Sequence, residues 1–229
     1  MPVFYLLQDL VQVPADDSWL AASERMRVAG LRFPKRRNDW LLGRWTAKCA
    51  IRAFLAQAGK SPPGCGDLEI RSAPDGAPEA FDSGASAPVS IALSHSGGKG
   101  FCVVGPPGHA LGCDIELIQT RNPEFIKDYL TDEEQAVVDD APSDIRPLWA
   151  TLIWSAKESA LKCLREGLRR DTRSVRIRVA PQHAPGWNPF MVESLDPVTH
   201  FYGWWRDEGL FVETIAAGLP MGEPLELLL

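Results

Sequence analysis

Gly112-Cys113-Asp114-Ile115-Glu116 sets two acids two residues apart in an otherwise apolar run. On a strand, alternate side chains share a face, so Asp114 and Glu116 lie side by side and Ile115 points away. Neighbouring carboxylates repel unless a cation sits between them. Hard oxygen donors suit Mg²⁺, which takes one or two carboxylates together with water and phosphate oxygens. A solvated strand face would show the same pattern. A second stretch, Trp154-Ser155-Ala156-Lys157-Glu158-Ser159-Ala160-Leu161-Lys162, puts Trp154, Glu158 and Lys162 four apart, one stripe of a helix. That is either a surface ion pair beside an indole, or a third carboxylate for the same metal with a lysine facing phosphate.

Two further clusters favour anions. In Leu93-Ser94-His95-Ser96-Gly97-Gly98 a histidine at a strand end precedes two glycines, whose backbone N–H groups are free to meet an anion. No G-x-S-x-G elbow accompanies it, which argues against a Ser–His nucleophile. Between residues 32 and 48, Arg32, Lys35, Arg36, Arg37, Arg44 and Lys48 face a single acid, Asp39, and Arg37, Arg44 and Lys48 fall near one helical face. This reads as a phosphate site or as a solvated face. A later run, Arg165, Arg169, Arg170, Arg173, Arg176 and Arg178 against Glu166 and Asp171, is a candidate docking patch for an acidic partner, or a solvated turn and strand.

The elements that must hold these residues alternate between strands and helices. Strands are expected at 3–7, 68–71, 89–94, 101–104 and 110–117. Helices are expected at 19–27, 37–58, 123–129, 131–139 and 147–164, with four more strands at 173–179, 191–195, 199–205 and 210–216. The last of these read as antiparallel, being joined by short polar turns. Residues 59–88, rich in glycine and proline, read as loop around the short strand at 68–71. Gly105-Pro106-Pro107-Gly108 is the strongest break in mid-chain and divides the sequence into halves at 1–107 and 108–229. No repeat between the halves is visible.

Composition narrows the class. The chain has 229 residues, 45% of them hydrophobic and 24% charged, which excludes wholesale disorder. A net charge of −6 makes it a poor general nucleic-acid ligand. The five cysteines, Cys49, Cys65, Cys102, Cys113 and Cys163, are odd in number and never spaced C-x-x-C. They read as small buried hydrophobes in a reducing compartment, not as a disulfide framework or a zinc cage. Residues 1–13 lack lysine and arginine, unlike a signal peptide, and no apolar run reaches the roughly 18 residues of a membrane span. A cytoplasmic protein without a membrane segment is the expectation.

Taken in order, H-S at 95–96, G-x-D-I-E at 112–116 and W-x-x-K-E-x-x-x-K at 154–162 resemble the surfactin-type 4′-phosphopantetheinyl transferases. Gly43-Arg44-Trp45-Thr46-Ala47-Lys48 fits the N-terminal half of that family, and Gly167-Leu168 extends the likeness. One departure is that Ala77 precedes Pro78, where the family often has a basic residue. The resemblance implies an α+β fold of two similar α/β halves with the active site in the cleft between them. It implies transfer of the phosphopantetheine arm of coenzyme A to a serine of an apo acyl- or peptidyl-carrier protein, with adenosine 3′,5′-bisphosphate leaving. Asp114, Glu116 and Glu158 would hold Mg²⁺. Lys162 would hold a pyrophosphate oxygen, and Glu158 or a water would take the serine proton. Arg44, Lys48, His95 and Ser94, with Lys35 or Arg36, would bind coenzyme A, chiefly its 3′-phosphate. A monomer acting in polyketide, nonribosomal peptide or fatty acid biosynthesis is expected. The alternatives are an inactive coenzyme A or carrier-protein binder, and a metal-dependent phosphodiesterase using the same acids.

Overall fold

The computed structural model describes residues 2–180, 184–195 and 198–229. The chain forms two compact units. One comprises Pro2–His109 together with Pro224–Leu229, and the other Ala110–Glu223. The first opens with β1 (Phe4–Asp9), α1 (Ala22–Ala29) and α2 (Pro34–Gln57). It continues through β2 (Leu68–Ser72), β3 (Pro78–Asp82), β4 (Ala85–Ser86), β5 (Ser90–Ser96) and β6 (Lys99–Gly105). The second runs β7 (Leu111–Leu117), α3 (Pro123–Tyr129), α4 (Asp132–Asp140), α5 (Arg146–Cys163), β8 (Val175–Val179), β9 (Asn188–Leu195), β10 (Val198–Glu208) and β11 (Phe211–Ala217). A last short strand, β12 (Leu225–Glu226), pairs in parallel with β1. That pairing carries residues 224–229 into the N-terminal unit, whereas the break in the sequence had left them with the second half.

In the N-terminal unit the sheet order is β12-β1-β6-β5, with a separate β2-β3-β4 sheet. In the C-terminal unit it is β7-β11-β10-β9-β8, antiparallel throughout. The four-stranded and the five-stranded sheet each bury one face under a long helix. Helix α2 presents Leu42, Ala47, Ala50 and Ile51, all buried, and α5 presents Leu152, Ile153, Ala156 and Leu161 likewise. Ala47, Ala50 and Ile51 join one apolar core and the α5 stripe joins another. Leu6, Ile51, Leu68 and Cys102 belong to one, and Leu161, Val192, Trp205 and Val212 to the other. Among the described residues no helix is long and apolar enough to cross a membrane.

The two units share one local motif, which corrects the expectation of no visible repeat. Trp45-Thr46-Ala47-Lys48 on α2 and Trp154-Ser155-Ala156-Lys157 on α5 are the same motif. Each lysine is buried and bonded to a buried glutamate at the third position of a short helix. Lys48 Nζ donates to Glu24 Oε2 at 2.5 Å, to Trp19 O at 2.9 Å and to Cys65 O at 3.0 Å. Glu24 accepts in addition from Ala21 N at 2.9 Å and from Ile70 N of β2 at 3.0 Å. In the C-terminal unit Lys157 Nζ lies 2.8 Å from Glu134 Oε2 and donates to Thr172 O at 2.9 Å and to Val175 O at 2.6 Å. Glu134 accepts from Thr131 N at 2.7 Å and from Ile177 N of β8 at 2.7 Å. In both units one ion pair thus joins a helix start, a long helix and the backbone of a strand, and satisfies polar groups that would otherwise be buried alone.

Candidate active site

The C-terminal unit brings together Asp114, Glu116, Glu158 and Lys162. Strand β7 can lie flat against α5 because residue 112 is glycine. A Cβ there would stand 1.8 Å from Ser159 O and 2.7 Å from Cys163 N, both backbone atoms. Two residues on, Asp114 points to the same side and meets the helix. Lys162 Nζ donates to Asp114 Oδ1 at 2.9 Å and to Cys113 O at 2.9 Å. Glu116, next on that face, accepts from the Trp154 indole N–H at 3.1 Å through Oε1 and from Arg121 Nη2 at 3.4 Å through Oε2. Trp154 packs against Phe125 and Tyr129, with centroids at 5.0 Å in each case, and so ties α3 to α5. Glu158 has no hydrogen bond or ion pair among the described residues.

The electrostatics follow from this crowding. Burial raises the Glu158 carboxyl above its ordinary value; Lys162 opposes that shift, and the charges of Asp114 and Glu116 reinforce it. Glu116 is raised by burial and by Asp114, against the pull of Trp154 and Arg121. Burial alone would depress the Lys162 ammonium, but Asp114, Cys113 and Glu158 reverse the sign and hold it above its ordinary value. The site is therefore an acidic cluster with a protonated lysine and two carboxylates, Glu158 and Glu116, whose proton affinity is raised.

The donor chemistry of Asp114, Glu116 and Glu158 fits a hard divalent cation. Their arrangement does not gather them around one: among the described residues no group of three or more His, Cys, Asp or Glu side chains is placed to hold a metal ion. The physical reason is visible in the bonds above. Protein donors take an oxygen of Asp114 and both oxygens of Glu116.

In the N-terminal unit the phosphate candidates separate. Lys48 is corrected: it is wholly buried, and its three N–H bonds are spent on Glu24, Trp19 and Cys65, so it is a core residue and not a coenzyme A ligand. Arg44 is half-buried, with its guanidinium 4.8 Å from the Trp40 ring centroid and Nε 3.9 Å from Glu24 Oε1. Burial lowers its affinity for the proton, with Glu24 opposing. Arg44 keeps accessible surface and remains a candidate. His95 is exposed at the end of β5, and its ring lies 3.9 Å from where a Cβ on Gly43 would be. Ser94 beside it is half-buried, Arg36 is exposed, and Lys35 is exposed and paired with Asp39 at 2.8 Å. The arginine run after α5 is largely committed within the unit. Arg170 binds Glu166, Ser174 and Ser194, Arg173 binds Asp132, and Arg176 and Arg178 share Glu193. It is not an open basic patch.

The shared Trp-Thr/Ser-Ala-Lys motif also shows why one unit carries the acids. Glu158 and Lys162 fall at Cys49 and Ala53 of the first unit. Asp114, opposite Thr214 in its ladder, corresponds to Gln8, opposite Gly100, because Thr214 and Gly100 each meet the motif's hydroxyl residue. The first unit's version of the site is neutral. Arg121 and the two buried glutamates escaped the sequence reading. The repeated motif was the available signal for Glu24 and Glu134, and nothing singled out Arg121.

Residues 110–202 match the family model described as the 4′-phosphopantetheinyl transferase superfamily. They include every acid and the lysine of the site. Solved structures similar to the chain include a holo-(acyl-carrier-protein) synthase from Bacillus anthracis, described as a complex with CoA (3′,5′-ADP). It is 21% identical, at 45% coverage of this chain and 92% of that one, with a TM-score of 0.37. Another is the holo-[acyl-carrier-protein] synthase of Thermotoga maritima, 16% identical, at 57% and 74% coverage, with a TM-score of 0.37. No curated protein matches the chain.

Proposed function

We propose that this protein transfers the 4′-phosphopantetheine arm of coenzyme A to a serine hydroxyl of an apo carrier protein and releases adenosine 3′,5′-bisphosphate. The observation that carries the reading is the meeting of Asp114, Glu116, Glu158 and Lys162 inside the segment that matches the superfamily model. Glu158, raised in proton affinity and bonded to nothing else, is the group suited to accept the serine proton. Lys162, held protonated beside Asp114, would meet a pyrophosphate oxygen and offset charge on the leaving group. Magnesium dependence belongs to the same proposal. It rests on donor chemistry alone: Asp114 and Glu116 would have to part from their present protein donors to hold, with Glu158, the ion, which would supply charge neutralisation of the pyrophosphate. Arg44, Ser94 and His95, with Lys35 or Arg36, are proposed for the coenzyme A 3′-phosphate. The surfactin-type subfamily, a monomeric state and a cytoplasmic location complete the reading.

Intact-mass measurement on a panel of apo carrier proteins, incubated with enzyme, coenzyme A and Mg²⁺, tests it. A gain of one phosphopantetheinyl group is expected. No gain, or coenzyme A hydrolysis in its place, would favour the binder or the phosphodiesterase.

A further inference from the structure

We propose that Thr214, with Ser155 and Ser159, is the element that positions helix α5 against β7 and so sets where Glu158 and Lys162 stand relative to Asp114. The inference rests on the transferase reading and adds three positioning residues to it.

Thr214 of β11 is the ladder partner of Asp114, and both side chains meet α5. Ser155 Oγ lies 2.9 Å and Ser159 Oγ 2.7 Å from Thr214 Oγ1, which itself donates to Ser155 O at 3.0 Å. Ser159 Oγ also donates to Thr214 O at 3.1 Å. A hydroxyl has one proton and two lone pairs. With its proton given to Ser155 O, Thr214 accepts from both serines, and its bonding capacity is filled. All three residues are fully buried, so water does not compete for these bonds. Successive turns of α5 are thereby fastened to the rung that carries Asp114. Ser159 is held a second time, since its carbonyl faces residue 112, where only glycine fits. Its neighbour Glu158 has no hydrogen bond or ion pair of its own among the described residues, so the helix alone decides where that carboxyl stands. Lys162, one turn from Glu158, reaches Asp114 Oδ1 at 2.9 Å.

Packing a long helix on a sheet does not require this cluster. In the N-terminal unit the shared motif puts Thr46 and Ala50 at the places of Ser155 and Ser159, and Gly100 at that of Thr214. The Thr46 hydroxyl bonds back to Leu42 O of its own helix at 2.8 Å. The hydroxyl bridge from helix to sheet therefore accompanies the acids and is replaced where they are absent. Buried hydroxyls that satisfy one another add little net stability over apolar groups of the same shape, whereas their directions select one register.

Three variants of the full-length protein test the inference: Thr214→Val, which keeps the shape and loses the hydroxyl, Thr214→Ser, which keeps the hydroxyl, and Ser155→Ala/Ser159→Ala/Thr214→Val, which strands none. The readout without substrate is the nuclear magnetic resonance signal of the Lys162 ammonium protons, which outlasts exchange with water while the group is held by Asp114 and Cys113 O. The signal should be present in the wild type and in Thr214→Ser, and weakened or lost in Thr214→Val and in the triple variant. In carrier loading, Thr214→Val and the triple variant should lose at least about tenfold in kcat, with KM for coenzyme A within about twofold of the wild type. Thr214→Ser should retain most of the wild-type kcat, a rescue that methyl packing alone would not give. The triple variant should keep a urea midpoint close to that of the wild type, which separates positioning from stability, and it carries the same expectation if Thr214→Val does not fold. A wild-type Lys162 signal and kcat in the triple variant would overturn the proposal, as would Thr214→Ser behaving like Thr214→Val. Failure of the wild type to load any carrier would instead strike the transferase reading, and the ammonium signal would still decide the present inference.

Discussion

Lys48 separates the two roles a lysine of the Gly-Arg-x-x-x-Lys segment could have, and Lys48→Met puts them to the test. The ammonium is wholly buried with three acceptors, and Glu24 beside it is 3% exposed. Methionine fills much the same volume, so the lost term is electrostatic. Removing one partner of a buried pair costs about 3–5 kcal/mol, because the other charge stays behind uncompensated. Glu24 retains two backbone donors, Ala21 N and Ile70 N, and Arg44 lies 3.9 Å away. Those contacts place the expected loss near the lower end, about 3 kcal/mol. A domain holds on the order of 5–15 kcal/mol in all, so the variant folds with a clearly lowered urea midpoint. The Glu24→Gln/Lys48→Met double variant should recover part of the loss, since the stranded charge is gone. KM for coenzyme A should stay within about twofold of the wild type at temperatures where both are folded. Unchanged stability with a several-fold rise in that KM would refute the reasoning and return Lys48 to the phosphate site.

Other expectations follow from the same geometry. Gly112→Ala drives a methyl group into the backbone of α5 and should cost at least about 1–3 kcal/mol, with activity lost as β7 and the helix part; a wild-type melting temperature would contradict the close approach. Glu158→Gln removes a charge from a repelling cluster, so stability should hold or rise while kcat falls at least about 100-fold; near-normal turnover would exclude Glu158 as the proton acceptor. Burial pushes the Cys49 and Cys163 thiols up to about 12 from 9.0. The folded state then keeps those protons longer than the unfolded chain, so unfolding free energy should fall as pH rises from about 9 toward about 12, and a Cys49→Ala/Cys163→Ala variant should lose less over that window. Native protein at neutral pH should take up thiol reagent chiefly at Cys65, the one cysteine not buried; rapid labelling of Cys49 or Cys163 would sink the burial argument.

Much of this architecture was legible because periodicity is strong where burial is strong. Helix α3 lies at the expected residues, and α4 and α5 lie within one. The alternation through β7 put Asp114 and Glu116 on one face, which is the side that meets α5. Strand β3 was hidden in a Gly/Pro-rich stretch: it starts at Pro78, which a strand's first residue tolerates, and only Ala80 of its five residues is buried. Two-residue β12 has no periodicity to read, and its place comes only from pairing with β1. The phosphate cluster misled at Lys48 because a lysine on a helix carries the same letter whether it faces water or a buried glutamate 24 residues earlier. The arginine run misled for a similar reason. Its partners Asp132, Glu133 and Glu193 lie far along the chain. The four-residue spacing of Trp154, Glu158 and Lys162 did predict a shared stripe, but not that the indole would hold Glu116 while Lys162 turned to Asp114.

The central claim is that the arm of coenzyme A ends on a carrier serine, and the stoichiometry of the products measures this most directly. Intact mass of an apo carrier protein and released adenosine 3′,5′-bisphosphate should be followed together in one reaction with Mg²⁺. The account predicts one nucleotide released for each carrier that gains a phosphopantetheinyl group, with neither product formed when the carrier's acceptor serine is replaced by alanine. Nucleotide release without a carrier, or an unchanged carrier mass across a broad panel under conditions where the protein is folded and binds coenzyme A, would contradict it.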